Sequence, residues 1–370
     1  MTVVIRVDAS VAIGTGHVMR CLTLAKALRA GGSTVQFVCR AHEGNLCDHI
    51  VENGFDVCRL QAPTQNEAGL GRDDYAAWLG VRQDTDAEQT LACRRPDDPR
   101  ADWLIVDHYA LDATWENQVR DLAAHTLVID DIANRPHICE LLLDQNLNRS
   151  PAERYRSLVP EHSRLLLGPR YALLRAEFAA MAKGTRPRSG HVERLLIFFG
   201  GTDQSGETLK SCRAVAAVAP NDVAVDVVVG AANPRREDIA GFCRTDARFR
   251  YHCQISNMAE LIGDADLAIG AGGTTAWERT FLGLPTITIA VAENQVDGSE
   301  ALDAQGAIRY LGTQLSVTEQ QIATTLQDLL MNPEVLVTMG QRCLEIHGSD
   351  RASGVDRVIR AMDEVAHVRS

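Results

Sequence analysis

The residues with the clearest chemical potential lie near the N-terminus, in the run R-V-D-A-S-V-A-I-G-T-G-H-V-M-R at 6–20. The run follows an apolar stretch and opens an amphipathic one, which predicts a strand, a glycine turn and a helix start where free backbone N–H groups attract anions. His17 falls in the first turn of that helix, where the dipole disfavours imidazolium and leaves a ring that can accept a proton. We therefore predict His17 as the catalytic base. The alternative is a side chain that only caps the helix or pairs with Asp8.

Four neighbours of His17 are predicted to contact the substrate, namely Asp8, Gly14, Gly16 and Arg20. Arg20 could bind phosphate or sugar oxygens, although an arginine one turn into a helix is as often a plain surface charge. The run matches neither G-x-G-x-x-G nor the P-loop ending, which disfavours a dinucleotide or ATP site.

A second glycine turn, G-A-G-G-T-T-A-W-E-R at 270–279, again joins a predicted strand to a helix. Its glycines permit close backbone approach to a diphosphate, its threonines offer hydroxyls, and its glutamate could accept hydrogen bonds from a ribose. These predicted nucleotide ligands are Gly272, Gly273, Thr274, Thr275 and Glu278. The alternative is a tight turn with a capping threonine.

Further polar loops follow other predicted strands, and ligands of open α/β sheets bind at the carboxyl ends of strands. Gly200 and Gly201 are predicted to join the nucleotide site, and Asn294, Asp107 and Tyr109 the substrate site. Some of these residues could be helix caps. The adjacent Asp130 and Asp131 are a weak signal for a metal, because further oxygen ligands in register are missing.

Composition narrows the class of protein. The chain has 370 residues, 45% of them hydrophobic, and a formal net charge of -12, which argues against general nucleic-acid binding. No apolar run reaches the roughly 18 residues of a membrane span. We see no secretion signal and expect a cytoplasmic protein. The ten cysteines are scattered without zinc spacing, so we expect reduced, mostly buried thiols.

Strand-length apolar runs alternate with amphipathic stretches, which predicts an α/β fold with two parallel sheets. Predicted strands lie at 3–7, 34–38, 103–107, 126–130, 141–143, 194–199, 223–229, 267–270 and 286–289. Predicted helices lie at 18–30, 114–123, 207–218, 258–262 and 275–283. The domain prediction is 1–167 and 193–349, with a Gly/Pro-rich linker at 168–192 and a terminal helix in 350–370.

The polar segment 61–99 interrupts the first domain and contains Y-A-A-W-L-G at 75–80. One interpretation is a solvated surface insertion. The other is an insertion that brings aromatic side chains, including Tyr75, to the substrate.

The motifs together resemble the GT-B-like nucleotide-sugar hydrolases of pseudaminic acid biosynthesis. The resemblance runs over most of the chain and rests on R-V-D-A-S-x-x-I-G-x-G-H-V-M-R-C-L-T-L-A at 6–25, Y-x-x-W-L-G-V at 75–81, I-V-D-H-Y at 105–109, I-D-D-I-A-N-R at 129–135, D-Q-N at 144–146, G-P-x-Y-A-L-L-R-x-E-F at 168–178, F-G-G-T-D at 199–203 and G-A-G-G-T-T-x-W-E-R at 270–279. The segment H-G-S-D-R-A-S-G at 347–354 departs from the family pattern and receives no role.

The resemblance implies two Rossmann-like domains facing a cleft, with the last helix crossing back to the first domain. It implies hydrolysis of UDP-2,4-diacetamido-2,4,6-trideoxy-β-L-altropyranose, by water attack at C1 with inversion and with His17 as base. UDP would be held by the glycine turn at 272–275 and by Glu278. No cofactor and no metal ion are implied, and the candidate partners are other enzymes of this pathway, which serves flagellin glycosylation.

Three alternatives stay open at this stage. A UDP-sugar glycosyltransferase of the same fold would use a hydroxyl acceptor instead of water, although the sequence offers no basic or apolar cluster for action at a membrane. A UDP-sugar 2-epimerase would change the configuration at C2. A non-catalytic nucleotide-sugar binding protein would not depend on His17.

Overall fold

A computed structural model describes residues 1–63, 75–94, 99–148, 150–184, 188–348 and 353–368. It divides into two compact units. Unit 1 comprises Met1–Asn146, Ser150–Leu173 and Ser353–Ser370, and unit 2 comprises Leu147–Arg149 and Leu174–Ala352. The chain therefore passes from unit 1 to unit 2 after Leu173, inside the segment predicted as a linker.

Unit 1 is built on a parallel sheet that has seven strands within the described ranges, in the order β3-β2-β1-β4-β5-β6-β7. The strands are β1 (Thr2–Val7), β2 (Thr34–Arg40), β3 (Asp56–Leu60), β4 (Ala101–Asp107), β5 (Ala123–Ile129), β6 (Leu141–Asp144) and β7 (Arg164–Leu167). The helices are α1 (Gly16–Ala30), α2 (Cys47–Glu52), α3 (Gln83–Ala92), α4 (Ala113–Gln118), α5 (Pro151–Tyr155) and the terminal helix α14 (Gly354–Val368), with 3₁₀ turns at Tyr75–Trp78 and Pro169–Tyr171.

Unit 2 repeats the plan with a parallel sheet of six strands among its described residues, in the order β10-β9-β8-β11-β12-β13. The strands are β8 (Arg194–Phe198), β9 (Ala224–Val229), β10 (Phe249–Cys253), β11 (Leu267–Ala271), β12 (Thr286–Ala290) and β13 (Ile308–Thr313). The helices are α6 (Ala176–Ala182), α7 (Glu207–Val218), α8 (Arg236–Cys243), α9 (Met258–Asp264), α10 (Thr274–Phe281), α11 (Val296–Ala304), α12 (Glu319–Met331) and α13 (Pro333–Ile346), with a 3₁₀ turn at Glu293–Gln295.

The order of the strands determines where the loops with the residues selected from the sequence lie. In unit 1 the order reverses between β1 and β4, which pair in register with Val7 opposite Asp107. In unit 2 it reverses between β8 and β11, where Phe198 lies opposite Gly270. Ligands of open α/β sheets bind where the order reverses, at the carboxyl ends of the strands. The loops that follow these four strands carry most of the residues selected from the sequence.

The predicted α/β fold with two parallel sheets is confirmed, and each of the nine predicted strands coincides with an observed strand. Four strands were missed: β3, β7, β10 and β13. The predicted helix 114–123 is wrong at its end, because α4 stops at Gln118 and Ala123 begins β5.

The expectation that all cysteines are reduced is wrong for one pair. Cys58 on β3 and Cys93 after α3 form a disulfide bond, with their Cα atoms 5.9 Å apart. The two elements pack side by side, which brings residues 35 positions apart within bonding distance. The other eight cysteines are free thiols, and among them Cys253 is exposed.

Candidate active site

The loop between β1 and α1 presents His17 at the start of a helix. Gly14 adopts a positive φ of 80° and its N–H bonds to the Ser10 carbonyl at 2.9 Å, which closes the turn. Thr15 is the residue before the helix and makes no side-chain cap. Gly14 and Gly16 are exposed, whereas His17 is 8% exposed. The turn therefore presents uncapped backbone next to a largely buried imidazole.

His17 is held by a carboxylate from the neighbouring strand. Its Nδ1 lies 2.6 Å from Oδ1 of Asp107, the last residue of β4. A carboxylate accepts hydrogen bonds, so this contact assigns the proton to Nδ1 of the neutral ring and leaves Nε2 as an acceptor. The alternative that His17 pairs with Asp8 is wrong, because Asp107 takes that position.

Asp107 does not have a free oxygen for a sugar. It is fully buried, and it accepts hydrogen bonds from Arg20 Nε and Nη2, both at 2.6 Å, from His17 and from the Cys21 thiol. Burial alone would raise the pKa of this carboxyl, but the Arg20 guanidinium and His17 outweigh it and hold the pKa well below its usual range. Asp107 therefore orients His17, in place of the substrate contact predicted from the sequence.

Arg20 is also tied to protein groups. Its side chain is 6% exposed, forms the paired contact with Asp107 and reaches Asp131 Oδ2 at 3.3 Å through Nη1. The alternative of a plain surface charge is wrong. Most of the guanidinium is already bound to two carboxylates, which leaves few of its N–H groups for the predicted contact with phosphate or sugar.

Two aromatic side chains contact His17, and a third contacts those two. The Tyr109 ring meets it edge-on with 4.7 Å between ring centroids, and Trp78 does so at 6.2 Å. Trp78 stacks on Tyr109 at 5.4 Å, and Tyr75 contacts both rings. The described part of the 61–99 segment thus brings aromatic side chains to His17, while 64–74 and 95–98 lie outside the described residues.

Asp8 belongs to a buried network of ion pairs. It is fully buried, and its carboxylate accepts from Arg6 Nη1 at 2.6 Å, from Arg6 Nη2 at 2.9 Å and from the Arg40 N–H at 2.6 Å. Asp86 completes the network by accepting from Arg6 and Arg40. The Asp8 oxygens are thus used inside the fold, and the contact of Asp8 with a substrate stays a prediction.

The two glycine turns of unit 2 differ in how the N-terminus of the following helix is capped. After β8, Gly200 has a positive φ of 92°, and the Asp203 carboxylate accepts from the N–H groups of Glu207 and Thr208 at 3.0 and 2.9 Å. The N-terminus of α7 is thus capped by the protein's own anion. Gly201 is exposed, and an added Cβ there would have open space.

After β11, the helix end is open. Gly273 precedes α10 and provides no side-chain cap, so the alternative of a capping threonine is wrong. Thr275 Oγ1 instead accepts from Arg279 Nη1 at 3.1 Å. The N-terminus of α10 therefore lacks the side-chain cap that Asp203 gives to α7.

Gly272 is required by packing within unit 2. A Cβ at this position would lie 2.3 Å from Ser299 Oγ on α11. Ser299 bonds to the Gln295 carbonyl at 2.7 Å, and the Gln295 amide oxygen accepts from the Val291 N–H at 3.1 Å. Asn294 is exposed on the same 3₁₀ turn. The turn after β12 thus supports the glycine turn after β11.

Glu278 lies in α10 with its side chain 11% exposed and 3.4 Å from Arg175 Nη2. Burial raises the pKa of its carboxyl to about 7, against the lowering effect of Arg175 and Arg279. Arg279 is buried and donates to the Ala271 carbonyl at 2.6 Å.

Sequence reasoning missed several residues that build these sites: Trp78, Arg175, Gln295 and Ser299. It considered Asp131 only as a weak metal signal and missed its partners. Trp78 stood in a selected motif, and Asp131 in the I-D-D-I-A-N-R motif, but their contacts with Tyr109 depend on tertiary packing. No sequence signal links Ser299 to Gly272.

Within the described ranges, no group of three or more histidine, cysteine, aspartate or glutamate side chains is arranged to hold a metal ion. Asp130 binds Arg135 at 2.8 Å, and Asp131 binds Arg20 and Tyr109. Among the same residues, none of the helices combines the length and apolar character needed to cross a bilayer.

The fold is that of GT-B glycosyltransferases, with two Rossmann-like units. MurG from Acinetobacter baumannii aligns with 98% of this chain and 99% of its own, at a TM-score of 0.64 and 13% identity. Arabidopsis thaliana UGT89C1, solved in complex with UDP-L-rhamnose, aligns with 99% of this chain and 98% of its own, at a TM-score of 0.66 and 14% identity. At these identities the likeness shows the fold alone.

Sequence comparison is more specific. The chain resembles the UDP-2,4-diacetamido-2,4,6-trideoxy-beta-L-altropyranose hydrolase of Campylobacter jejuni, with 25% identity over 307 residues, 83% of this chain and 97% of the relative. Residues 195–356 match the glycosyltransferase family 28 C-terminal domain.

Proposed function

We propose that the protein hydrolyses UDP-2,4-diacetamido-2,4,6-trideoxy-β-L-altropyranose to UDP and free 2,4-diacetamido-2,4,6-trideoxy-L-altrose. The similarity to the Campylobacter jejuni hydrolase and to the family 28 domain supports an enzyme that processes a nucleotide sugar. The observation that carries the chemistry is the contact between His17 Nδ1 and Asp107 at 2.6 Å. No described residue bonds to Nε2, so this nitrogen is available as a general base.

In the proposed reaction the oxygen of a water molecule attacks C1 of the sugar, and His17 Nε2 takes a proton from that water. The bond between C1 and the diphosphate oxygen breaks, and its electron pair leaves with UDP. Direct displacement inverts the configuration at C1. Asp107 keeps Nδ1 protonated and stabilises the imidazolium that forms, as the carboxylate does in Ser-His-Asp triads.

The UDP leaving group is assigned to unit 2. The uncapped N-terminus of α10 offers N–H donors and a positive dipole end to the diphosphate. Gly201 leaves the backbone accessible, and Glu278 is proposed to accept hydrogen bonds from the ribose. UDP leaves with its charge stabilised by these groups, so the proposal includes neither a metal ion nor a cofactor. A role in pseudaminic acid biosynthesis rests on the resemblance alone.

The test is to incubate the full-length protein with the UDP-sugar, in EDTA and without it, and to follow the anomeric proton by NMR. We expect UDP and a single inverted anomer at first. His17→Ala should lower kcat by about 10²- to 10⁴-fold, because it removes the base. Asp107→Asn should also lower kcat, and circular dichroism will show whether it folds. The control is His49→Ala, whose side chain is 43% exposed on α2.

Other outcomes would replace the proposal. Full activity in His17→Ala would exclude His17 as the base. Substrate that binds intact and reacts only when a sugar or lipid hydroxyl is added would identify a glycosyltransferase. A change at C2 would identify an epimerase. Tight binding without any reaction would identify a binding protein.

A further inference from the structure

Asp131 is an acidic residue that the proposed reaction does not use. It follows β5, and its side chain is 13% exposed. One carboxylate oxygen accepts a short hydrogen bond from the Tyr109 hydroxyl, and the other lies 3.3 Å from Arg20 Nη1. It makes no direct contact with His17, but it binds two residues on which the orientation of His17 depends.

The first route from Asp131 to His17 runs through Arg20. Arg20 spans two carboxylates: Nε and Nη2 bind Asp107, and Nη1 binds Asp131. Asp107 in turn holds His17 Nδ1. A guanidinium is planar and rigid, so a hydrogen bond at Nη1 restricts the plane of the whole group. It thereby restricts the position of the Asp107 carboxylate.

The second route runs through Tyr109. Its ring lies roughly perpendicular to the His17 ring, and Trp78 stacks on it. Because the hydroxyl is bound to Asp131, the ring is fixed at its far end as well. Burial, and then Asp131, raises the pKa of Tyr109 well above its usual value, so the phenol stays protonated and keeps donating.

We infer that Asp131 is a positioning residue for the proposed hydrolysis, which fixes Arg20 and Tyr109 and thereby holds His17 in one orientation against Asp107. This inference rests on the proposed function. Asp131 thus acts on the chemical step through His17, and the Tyr109 hydroxyl donates to Asp131 and not to the substrate.

The experiment compares Asp131→Asn, Tyr109→Phe and the double variant in the full-length protein. Asp131→Asn keeps the shape but loses the charge, and Tyr109→Phe removes the hydroxyl and keeps the ring. We expect Asp131→Asn to lower kcat by about 10- to 100-fold, since small misplacements of catalytic groups have effects of this size. KM for the UDP-sugar should change less than about twofold, because unit 2 is proposed to hold the nucleotide.

The double variant tests the route. Tyr109→Phe should lower kcat by less than Asp131→Asn, and the double variant should lose less than the two single losses combined, because Asp131→Asn weakens the same hydrogen bond that Tyr109→Phe removes. Asp131→Glu should restore part of the rate. The control is Asp48→Asn, a carboxylate that is 86% exposed and pairs with Arg59 on the surface.

The pH profile separates positioning from general damage. The charged and titratable groups around His17 are Asp107 from β4, Arg20 from α1, and Tyr109 and Tyr75, with Asp131 beyond Arg20 and Tyr109. Asp131→Asn removes one negative charge from this set, which should move the acid limb of the kcat profile to lower pH. A loss of folded protein would lower the maximum and leave the limb in place.

Three results would overturn the inference. One is an unchanged kcat in Asp131→Asn while His17→Ala is inactive, which would leave the proposed function intact. Another is a lower kcat with an unmoved acid limb, together with a lower melting temperature. The third is additive losses in the double variant, which would indicate independent roles. Full activity in His17→Ala would overturn the proposed function and this inference together.

Discussion

At the scale of single residues, Glu278 offers a pH-dependent test of nucleotide binding. Its pKa is raised by burial to about 7, so the carboxyl changes its charge near neutrality. If the carboxylate accepts from ribose hydroxyls, the ionised form binds more strongly, since charge-assisted hydrogen bonds exceed neutral ones. Affinity for the UDP-sugar should then rise severalfold from pH 6 to pH 8. Calorimetry in a His17→Ala background measures binding without turnover.

The matched control is Glu278→Gln in the same background, for which we expect a flat pH dependence. The stability of unit 2 should also depend on the ionisation of Glu278. The folded pKa lies above the ordinary value of 4.5, so between these values the folded state binds more protons than the unfolded state. The free energy of unfolding should therefore fall as pH rises from about 4.5 to 7, by about 2 to 3 kcal/mol relative to Glu278→Gln. Parallel curves for both proteins would contradict the assignment.

Residue types could be selected from the sequence, but their partners could not. His17 and Glu278 stand at positions where a glycine turn opens a helix, and this local signal was sufficient to select them. The same kind of local signal predicts Asp8 and Asp107 as substrate contacts, yet both are buried beside arginines. The partner of His17 lies 90 residues away, joined to it by the pairing of β1 with β4. Local patterns carry no information on such contacts.

At the scale of elements, Gly272 allows packing to be separated from ligand binding. A methyl group there would meet Ser299 Oγ at 2.3 Å, so Gly272→Ala should shift α11 and lower the melting temperature. Ser299→Ala removes the obstructing oxygen, and the double variant should recover most of the loss. Thermal unfolding of the three variants measures this.

Gly201→Ala is the counterpart, because its added methyl group would find open space. It should leave the melting temperature unchanged and weaken UDP binding if the turn lies against the diphosphate. Unchanged binding would remove Gly201 from the proposed nucleotide site. No recovery in Gly272→Ala/Ser299→Ala would show that Ser299 is not the obstacle.

The elements that sequence analysis missed share one position in the fold. The strands β3, β7, β10 and β13 are the outer strands of the two sheets. Central parallel strands are covered on both faces and form apolar runs, whereas an outer strand is partly solvated and tolerates charge. D-V-C-R-L in β3 and F-R-Y-H-C in β10 show this mixture. The disulfide was missed for the same reason, since Cys58 lies on β3.

At the scale of the whole molecule, unit 1 is completed by the far end of the chain. The terminal helix α14 buries Val355, Val358, Ala361 and Met362 in the core formed with β1 and α1. Some 180 residues of unit 2 separate this helix from Leu173. The recurrence of βα units predicted two sheets, but the helical spacing of 355–365 could not identify the core that the helix joins.

Deleting 353–370 should therefore unfold unit 1 and spare unit 2. Each of the larger buried side chains of α14 contributes about 1.5 to 3 kcal/mol to the free energy of unfolding. Together these contributions approach the whole stability of a domain. Trp78, Trp103 and Trp115 lie in unit 1 and Trp277 in unit 2, so most of the tryptophan emission should shift to longer wavelength. UDP should still raise the melting temperature of unit 2, because its own core is intact.

Two substitutions on the same helix provide the graded control. Met362→Ala should destabilise unit 1 by about 2 to 5 kcal/mol, as large-to-small changes in a core do. Glu364→Ala removes only a pair with Arg164 in which both side chains are about half exposed, and it should behave like the wild type. If the deletion keeps the native tryptophan emission and both unfolding transitions, then unit 1 closes its core without α14, and the helix must have another role.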